Sequence, residues 1–168
     1  MTNFQFVTTK NEVLRYLPEM FTIIYDNMSR IAPTGCTRDE DYKLWHSSML
    51  KNIGNENFRY VLILSDNVLA GYFQYRASDG VFYMDEIQFR DEFKGSGVFG
   101  ELYRFVIPML PSNTKTVQAC ANKNNLKSRA VLEHLGLEAF GENKNGSILY
   151  RGSFDNIKNK YGYISAEK

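Results

Sequence analysis

The sequence predicts a single α/β domain: a mixed, mostly antiparallel sheet flanked by about four helices. Three features lead there. The 168 residues, 43% hydrophobic and 14% aromatic, suffice for one sizeable core and fall short of two. In mid-chain, three β-branched and aromatic runs follow one another across the turn pairs Asp66-Asn67 and Asp79-Gly80, the pattern of an antiparallel meander. On either side of the meander, apolar residues return at helical spacing.

The elements follow in order. "FQFVTT", Phe4 to Thr9, alternates like a short strand, and Asn11 to Ile31 shows the period of one helix behind an Asn able to cap it. A second helix is predicted over Arg38–Ile53, with acids in its first turn and Gly54 just past its end. "FRYVLILS", "VLAGYFQYR" and "VFYMDEIQF" form the meander. A glycine-rich turn then opens a helix whose stripe is Val98, Leu102, Phe105, Val106 and Met109, stopped near Pro108 and Pro111. "TKTVQACA" reads as a strand, and "NLKSRAVLEHLG" as a short helix with Asn candidates for its cap and Gly136 at a left-handed C-terminus. Two last strands, Leu137 to Glu142 and Ser147 to Phe154, flank the turn "NKNG". The polar tail, 155–168, reads as partly loose.

Composition excludes several functions. Lys plus Arg number 20 against 19 for Asp plus Glu, so a net charge of +1 sets up no field for nucleic acid or a membrane surface. Cys36 and Cys120 lie in dissimilar settings and read as reduced thiols of a cytoplasmic protein; no metal-ligand spacing occurs. The N-terminus shows no signal pattern, and no apolar run approaches the roughly 18 residues of a membrane span.

The stretch "FKGSGVFGELYRF" carries the chemistry. Glycines reach positive φ cheaply and turn several N–H groups toward one point, and the helix that follows adds its dipole, an arrangement suited to phosphate. A turn that merely connects two elements reads the same way. The letters Gly95 to Gly100 spell G-x-G-x-x-G, but a dinucleotide fingerprint belongs in the first turn of a parallel βαβ unit with an acid about 20 positions on. Here the motif follows a meander, and the next strand ends in "ACANKNN" without a carboxylate.

With the element order, these residues resemble the GNAT superfamily, the Gcn5-related N-acetyltransferases. Lys94-Gly95-Ser96-Gly97-Val98-Phe99 is similar to the family's Q/R-x-x-G-x-G/A, with Lys94 for Arg or Gln and Phe99 in place of the last small residue. "NNLKSRAVLEHLGL" resembles its later N-x-x-A/S segment and "Y-E-K-L-G-F" ending, with Asn125, Ser128, Glu133, Leu135 and Gly136 in register. The resemblance implies a sheet whose fourth and fifth strands splay apart around acetyl-CoA. It implies that Lys94, Gly95, Ser96, Gly97, Val98, Phe99 and Gly100 hold the pyrophosphate. The main chain of Ile87, Gln88 and Phe89, with Asn125 and Ser128, would meet the pantetheine arm. Helix capping competes for the asparagines, for Asn124 more than for Asn125.

Acetyl transfer to an amine needs a base for the ammonium proton and a proton for the departing thiolate. Glu86 stands where many family members carry an acidic base, among the apolar Tyr83, Met84, Ile87 and Phe89; its bland alternative is a solvated or ion-paired strand residue. If the strand is regular, Asp85 faces the other way. The family's usual acid, a Tyr, is replaced by Leu132; His134 reads as an exposed helix residue, and Tyr150 and Tyr83 are the nearest substitutes by type. Tyr25, Tyr42, Trp45 and His46 either wall the acceptor site or belong to the core. The resemblance thus implies a cytoplasmic N-acetyltransferase acting on a small-molecule or peptide primary amine, without metal, nucleic acid or membrane, in a family where homodimers are common. The alternative is a degenerate acyl-CoA-binding module.

Overall fold

The computed structural model describes residues 3–162. Seven strands hydrogen-bond in the order β1-β2-β3-β4-β5-β7-β6: β1 Phe4–Val7, β2 Arg59–Ser65, β3 Val68–Ser78, β4 Val81–Phe89, β5 Thr116–Asn122, β6 Glu138–Glu142 and β7 Ser147–Ser153. Six α-helices accompany them among the described residues: α1 Lys10–Arg15, α2 Leu17–Met28, α3 Arg38–Ile53, α4 Val98–Val106, α5 Leu126–His134 and α6 Phe154–Tyr161. The chain divides into two compact units, one running to Arg76 and including Met84–Lys94, the other holding Ala77–Tyr83 and the chain from Gly95.

In the first unit β1 pairs antiparallel with β2, and β2 with β3. Both residues of the turn Asp66-Asn67 take positive φ, 48° and 62°, as a tight hairpin turn with the right twist requires. The expected single helix over residues 11–31 is two. Pro18, at the second position of α2, has no N–H to continue a ladder from α1, and the chain breaks at Tyr16. The cap position is Thr9, so Asn11 lies inside α1 rather than before it. α3 keeps its predicted bounds, and its start is fixed by a capping box in which Thr37 Oγ1 accepts from the Glu40 N–H and Glu40 accepts from the Thr37 N–H. Val13, Leu17, Met20 and Ile23 of α1 and α2 and Met49 and Ile53 of α3 pack with Tyr60, Leu62 and Tyr72 of the sheet as the core of this unit.

In the second unit β7 lies between β5 and β6, antiparallel to both. α4 buries Val98, Leu102, Tyr103 and Val106; Phe105 is only partly buried, and Met109 is exposed because Pro108 turns the chain into a 3-10 segment, Ile107–Met109, that leaves the predicted stripe. α5 ends in a left-handed Gly136 (φ 81°), with the Leu137 N–H on the Leu132 carbonyl and the Gly136 N–H on that of Glu133. The tail is ordered as α6 up to Tyr161, which corrects the loose reading for that segment. Ser153 caps it by accepting from the Asp155 N–H, Lys158 and Lys160 sit in its last turn, and Phe154 and Ile157 are buried along one stripe. Residues 163–168 of the expected tail lie outside the described residues.

Candidate active site

The glycine turn is built as its spacing suggests. After a 3-10 turn at Asp91–Phe93 the chain extends through Lys94, and Gly95 and Gly97 then take φ of 78° and 84°, conformations that cost a side-chain-bearing residue about 1–2 kcal/mol. Gly97 is the N-cap of α4. A Cβ on Gly95 or Gly97 would meet no atom within 4 Å, so the turn's outer face is open to a bulky group. The N–H groups of Gly100 and Glu101 close onto the Gly97 carbonyl, whereas the Val98 N–H lies in the first turn, where a helix offers no acceptor. Ser96 is exposed and Phe99 half-buried against Tyr103. Gly100 serves packing: a Cβ there would meet the Arg104 guanidinium at 3.4 Å and the Tyr161 ring at 3.6 Å. These features fit a phosphate-bearing ligand at the turn.

Glu86 lies in the first unit on β4. Its Oε1 accepts a 2.5 Å hydrogen bond from Tyr72 Oη, itself fully buried on β3. Burial pushes the Glu86 carboxyl up from its ordinary value; the nearby Asp85 charge adds to this, and the hydrogen bonds from Tyr72 and Gln88 partly oppose it. Gln88 extends the network: Asn27 Nδ2 on α2 donates to Gln88 Oε1 and to the Phe89 carbonyl, each at 2.9 Å, and Lys94 Nζ donates to Asn27 Oδ1 at 3.1 Å and to Asp91 Oδ1 at 2.5 Å. A polar chain thus runs from Lys94 through Asn27 and Gln88 to the carboxyl of Glu86. Gly71 lets β3 close on this segment, since a Cβ there would collide with the Gln88 carbonyl and the Phe89 ring.

Asp85 forms a bidentate pair with Arg76 on β3, both contacts at 2.8 Å. Tyr72 and Arg76 share parity on β3, yet their partners Glu86 and Asp85 are consecutive on β4. Burial along β4 also changes parity, from Phe82 and Met84 to Phe89. The strand is therefore irregular here, and the opposite-face expectation for Asp85, which required a regular strand, does not apply.

In the second unit Asn125, not Asn124, caps α5: its Oδ1 accepts from the Ser128 N–H at 3.2 Å. Leu132 is a core residue, and His134 is exposed. Tyr150 is fully buried with its hydroxyl between Arg129 Nε, which donates at 3.1 Å, and Glu133 Oε1, which accepts at 3.3 Å. Of the aromatic residues proposed for the acceptor side, Tyr25, Tyr42 and Trp45 surround Phe21 with centroids 5.0–5.6 Å away, and His46 lies 5.4 Å from Tyr42. Arg38 lies over Phe21 and Tyr25.

Sequence reasoning missed Asn27 and Tyr72. Asn27 left one trace, a polar residue close to the apolar stripe of a helix. Tyr72 lies in a continuous apolar run, where its hydroxyl gives no signal. Among the described residues no group of His, Cys, Asp or Glu is arranged to hold a metal ion, and no helix is long and apolar enough to cross a membrane.

A meander followed by a glycine turn, a helix, and then strand, helix and hairpin is the chain order of this α/β fold. Solved structures make this specific. The chain is similar to an acetyltransferase from Thermus thermophilus (TM-score 0.69, 13% identity, 90% of this chain and 97% of that one). It is similar to PaiA N-acetyltransferase of Thermoplasma acidophilum in complex with coenzyme A (0.66, 8%, 90% and 99%). A protein from Desulfovibrio desulfuricans assigned to the GNAT family of acetyltransferases matches with TM-score 0.61 and 16% identity over 90% of this chain and 99% of that one. The fold is that of the GNAT acetyltransferases. No family model and no curated protein matches the sequence.

Proposed function

We propose that the chain is an N-acetyltransferase that uses acetyl-CoA to acetylate a primary amine of a small molecule or peptide. The observation that carries this reading is Glu86, a carboxyl raised by burial and held in place by Tyr72. It suits a base that must remove a proton from an ammonium near neutral pH. The turn from Lys94 through Gly95, Ser96, Gly97, Val98 and Phe99 would hold the pyrophosphate, with Gly100 as the close-packed position behind it. Main-chain groups of Ile87, Gln88 and Phe89, with Asn125 and Ser128, would meet the pantetheine arm. Bound acetyl-CoA supplies an acyl group activated as a thioester.

Leu132 gives no proton where the resemblance implies a Tyr, and the Tyr150 hydroxyl is held by Arg129 and Glu133. The reading therefore asks the chain for a base and for no dedicated acid, which a thiol of pKa near 8.5 tolerates as a leaving group. We take the chain to act as one cytoplasmic domain.

The test is release of free thiol from acetyl-CoA across methylamine, benzylamine, lysine, spermidine and a lysine peptide. Amine-dependent release with at least one of them is expected. Coenzyme A binding without release across the panel would replace this reading with that of an acyl-CoA-binding module.

A further inference from the structure

Asn27 lies in the last turn of α2, where Met20, Ile23 and Asn27 follow one another at spacings of three and four, so it continues the stripe that the helix buries. A half-buried carboxamide needs partners, and this one has three, Gln88, Phe89 and Lys94, all within the first unit.

Their chemistry leaves the carboxamide one orientation. The Lys94 ammonium can only donate and the Phe89 carbonyl can only accept, so Oδ1 must face Lys94, at 3.1 Å, and Nδ2 must face Phe89, at 2.9 Å, where it also reaches Gln88 Oε1. Lys94 has a second partner, but a poor one for fixing its place. Asp91 is three residues back in the same turn with its side chain 87% exposed, and an exposed ion pair of that kind contributes little. Asn27 is anchored on Gln88 and Phe89 and carries no charge, so it holds the ammonium without neutralising it. With two of its three N–H donors given to Asn27 and Asp91, Lys94 keeps one for a ligand on a side chain 48% exposed.

We infer that Asn27 is a positioning residue for the coenzyme's diphosphate: anchored on Gln88 and Phe89, it holds the Lys94 ammonium ready for an anion. The inference rests on the coenzyme A reading for the identity of that anion, and it deepens that reading by adding a residue of α2 that acts through Lys94 rather than on the ligand. No bond is made or broken at Asn27.

Calorimetric titration of coenzyme A, without amine, into the wild-type chain, Asn27→Leu, Lys94→Met and the double variant tests this. Leu keeps about the volume of Asn and none of its hydrogen bonds. Each single variant should bind coenzyme A roughly three- to thirtyfold more weakly, and the double variant no more weakly than Lys94→Met alone. In turnover, the acetyl-CoA KM of Asn27→Leu should rise while the amine KM stays where it was. A folded Asn27→Leu with wild-type affinity overturns the proposal. So do losses that add in the double variant, because Asn27 would then act without Lys94. If Asn27→Leu does not fold, Asn27→Ser, polar but too short to reach Lys94 and Phe89 together, takes its place in the cycle. Failure of both to fold would make Asn27 a purely structural residue and overturn the proposal as well. Because the titration needs no catalysis, non-additive losses in a chain that releases no thiol would sink acetyl transfer alone. Thiol release with additive losses would sink this inference alone, and no coenzyme A binding to the wild type would sink the coenzyme site and this inference together.

Discussion

Replacing Tyr72 by Phe removes one hydroxyl and keeps the ring, so it isolates the 2.5 Å bond to Glu86 Oε1. Tyr72 is fully buried, and water cannot easily replace the lost donor. A hydrogen bond to a charged partner is worth about 1.5–3 kcal/mol and a neutral one about 0.5–1.5 kcal/mol. Tyr72→Phe should therefore lower the unfolding free energy by about 1.5–3 kcal/mol where Glu86 is ionised, and by about 0.5–1.5 kcal/mol at a pH low enough to protonate it. The bond favours the carboxylate, so its loss moves the Glu86 carboxyl further up. The acid limb of kcat/KM for the amine should then shift to higher pH. Urea unfolding of both proteins at two pH values, with a pH profile of thiol release, measures all three quantities. An equal loss of stability at both pH values, together with an unmoved acid limb, would show that the Tyr72 phenol does not sense the charge on Glu86.

Two further substitutions test the reading. Glu86→Gln should cut kcat roughly 10²–10⁴-fold at neutral pH with coenzyme A still bound, and activity within a few-fold of the parent would place the base elsewhere. The same variant has a signature in stability. Because the folded Glu86 pKa is raised, the native state holds its proton where the unfolded chain, with an ordinary value of 4.5, has lost it. The wild type should therefore lose stability relative to Glu86→Gln as pH rises from 4.5 through the raised native value; a constant difference across that window contradicts the burial argument. Leu132→Tyr inserts a larger side chain at a core position and should cost about 1–3 kcal/mol in urea unfolding. Its kcat should stay within a few-fold of the parent, whereas a large gain would show that the native site is limited by a missing acid.

Much of the fold was legible because local signals and packing agree. The bounds of α3 follow from acids at one end and Gly54 at the other, and the meander follows from β-branched runs between turn pairs that adopt positive φ. Misreadings arose where one residue overrode a period. Pro18 split a continuous apolar stripe into α1 and α2, and Pro108 turned Met109 out to solvent. α6 was missed because its polar composition hid a stripe of Phe154, Ile157 and Tyr161 that packs only in the folded chain. The candidate site was legible where glycine spacing asks for positive φ, at Gly95 and Gly97. It was illegible where function depends on which strand neighbours which. The sequence alone does not bring Tyr72 onto Glu86 or Asn27 onto Gln88, residues 14 and 61 positions apart. The irregularity in β4 that lets consecutive acids reach Arg76 and Tyr72 also has no glycine or proline to announce it.

Whether the glycine turn at the start of α4 is the coenzyme A site is decided by calorimetric titration of coenzyme A into the wild type and Gly97→Asp. Gly97 has open space where a side chain would project, so the substitution should cost only the left-handed backbone penalty, about 1–2 kcal/mol, and leave the chain folded. The new carboxylate would stand against the phosphates. Saturable binding to the wild type, weakened by orders of magnitude in a folded Gly97→Asp, is the predicted result. Equal affinity in the two proteins, or no binding to the wild type, would contradict it.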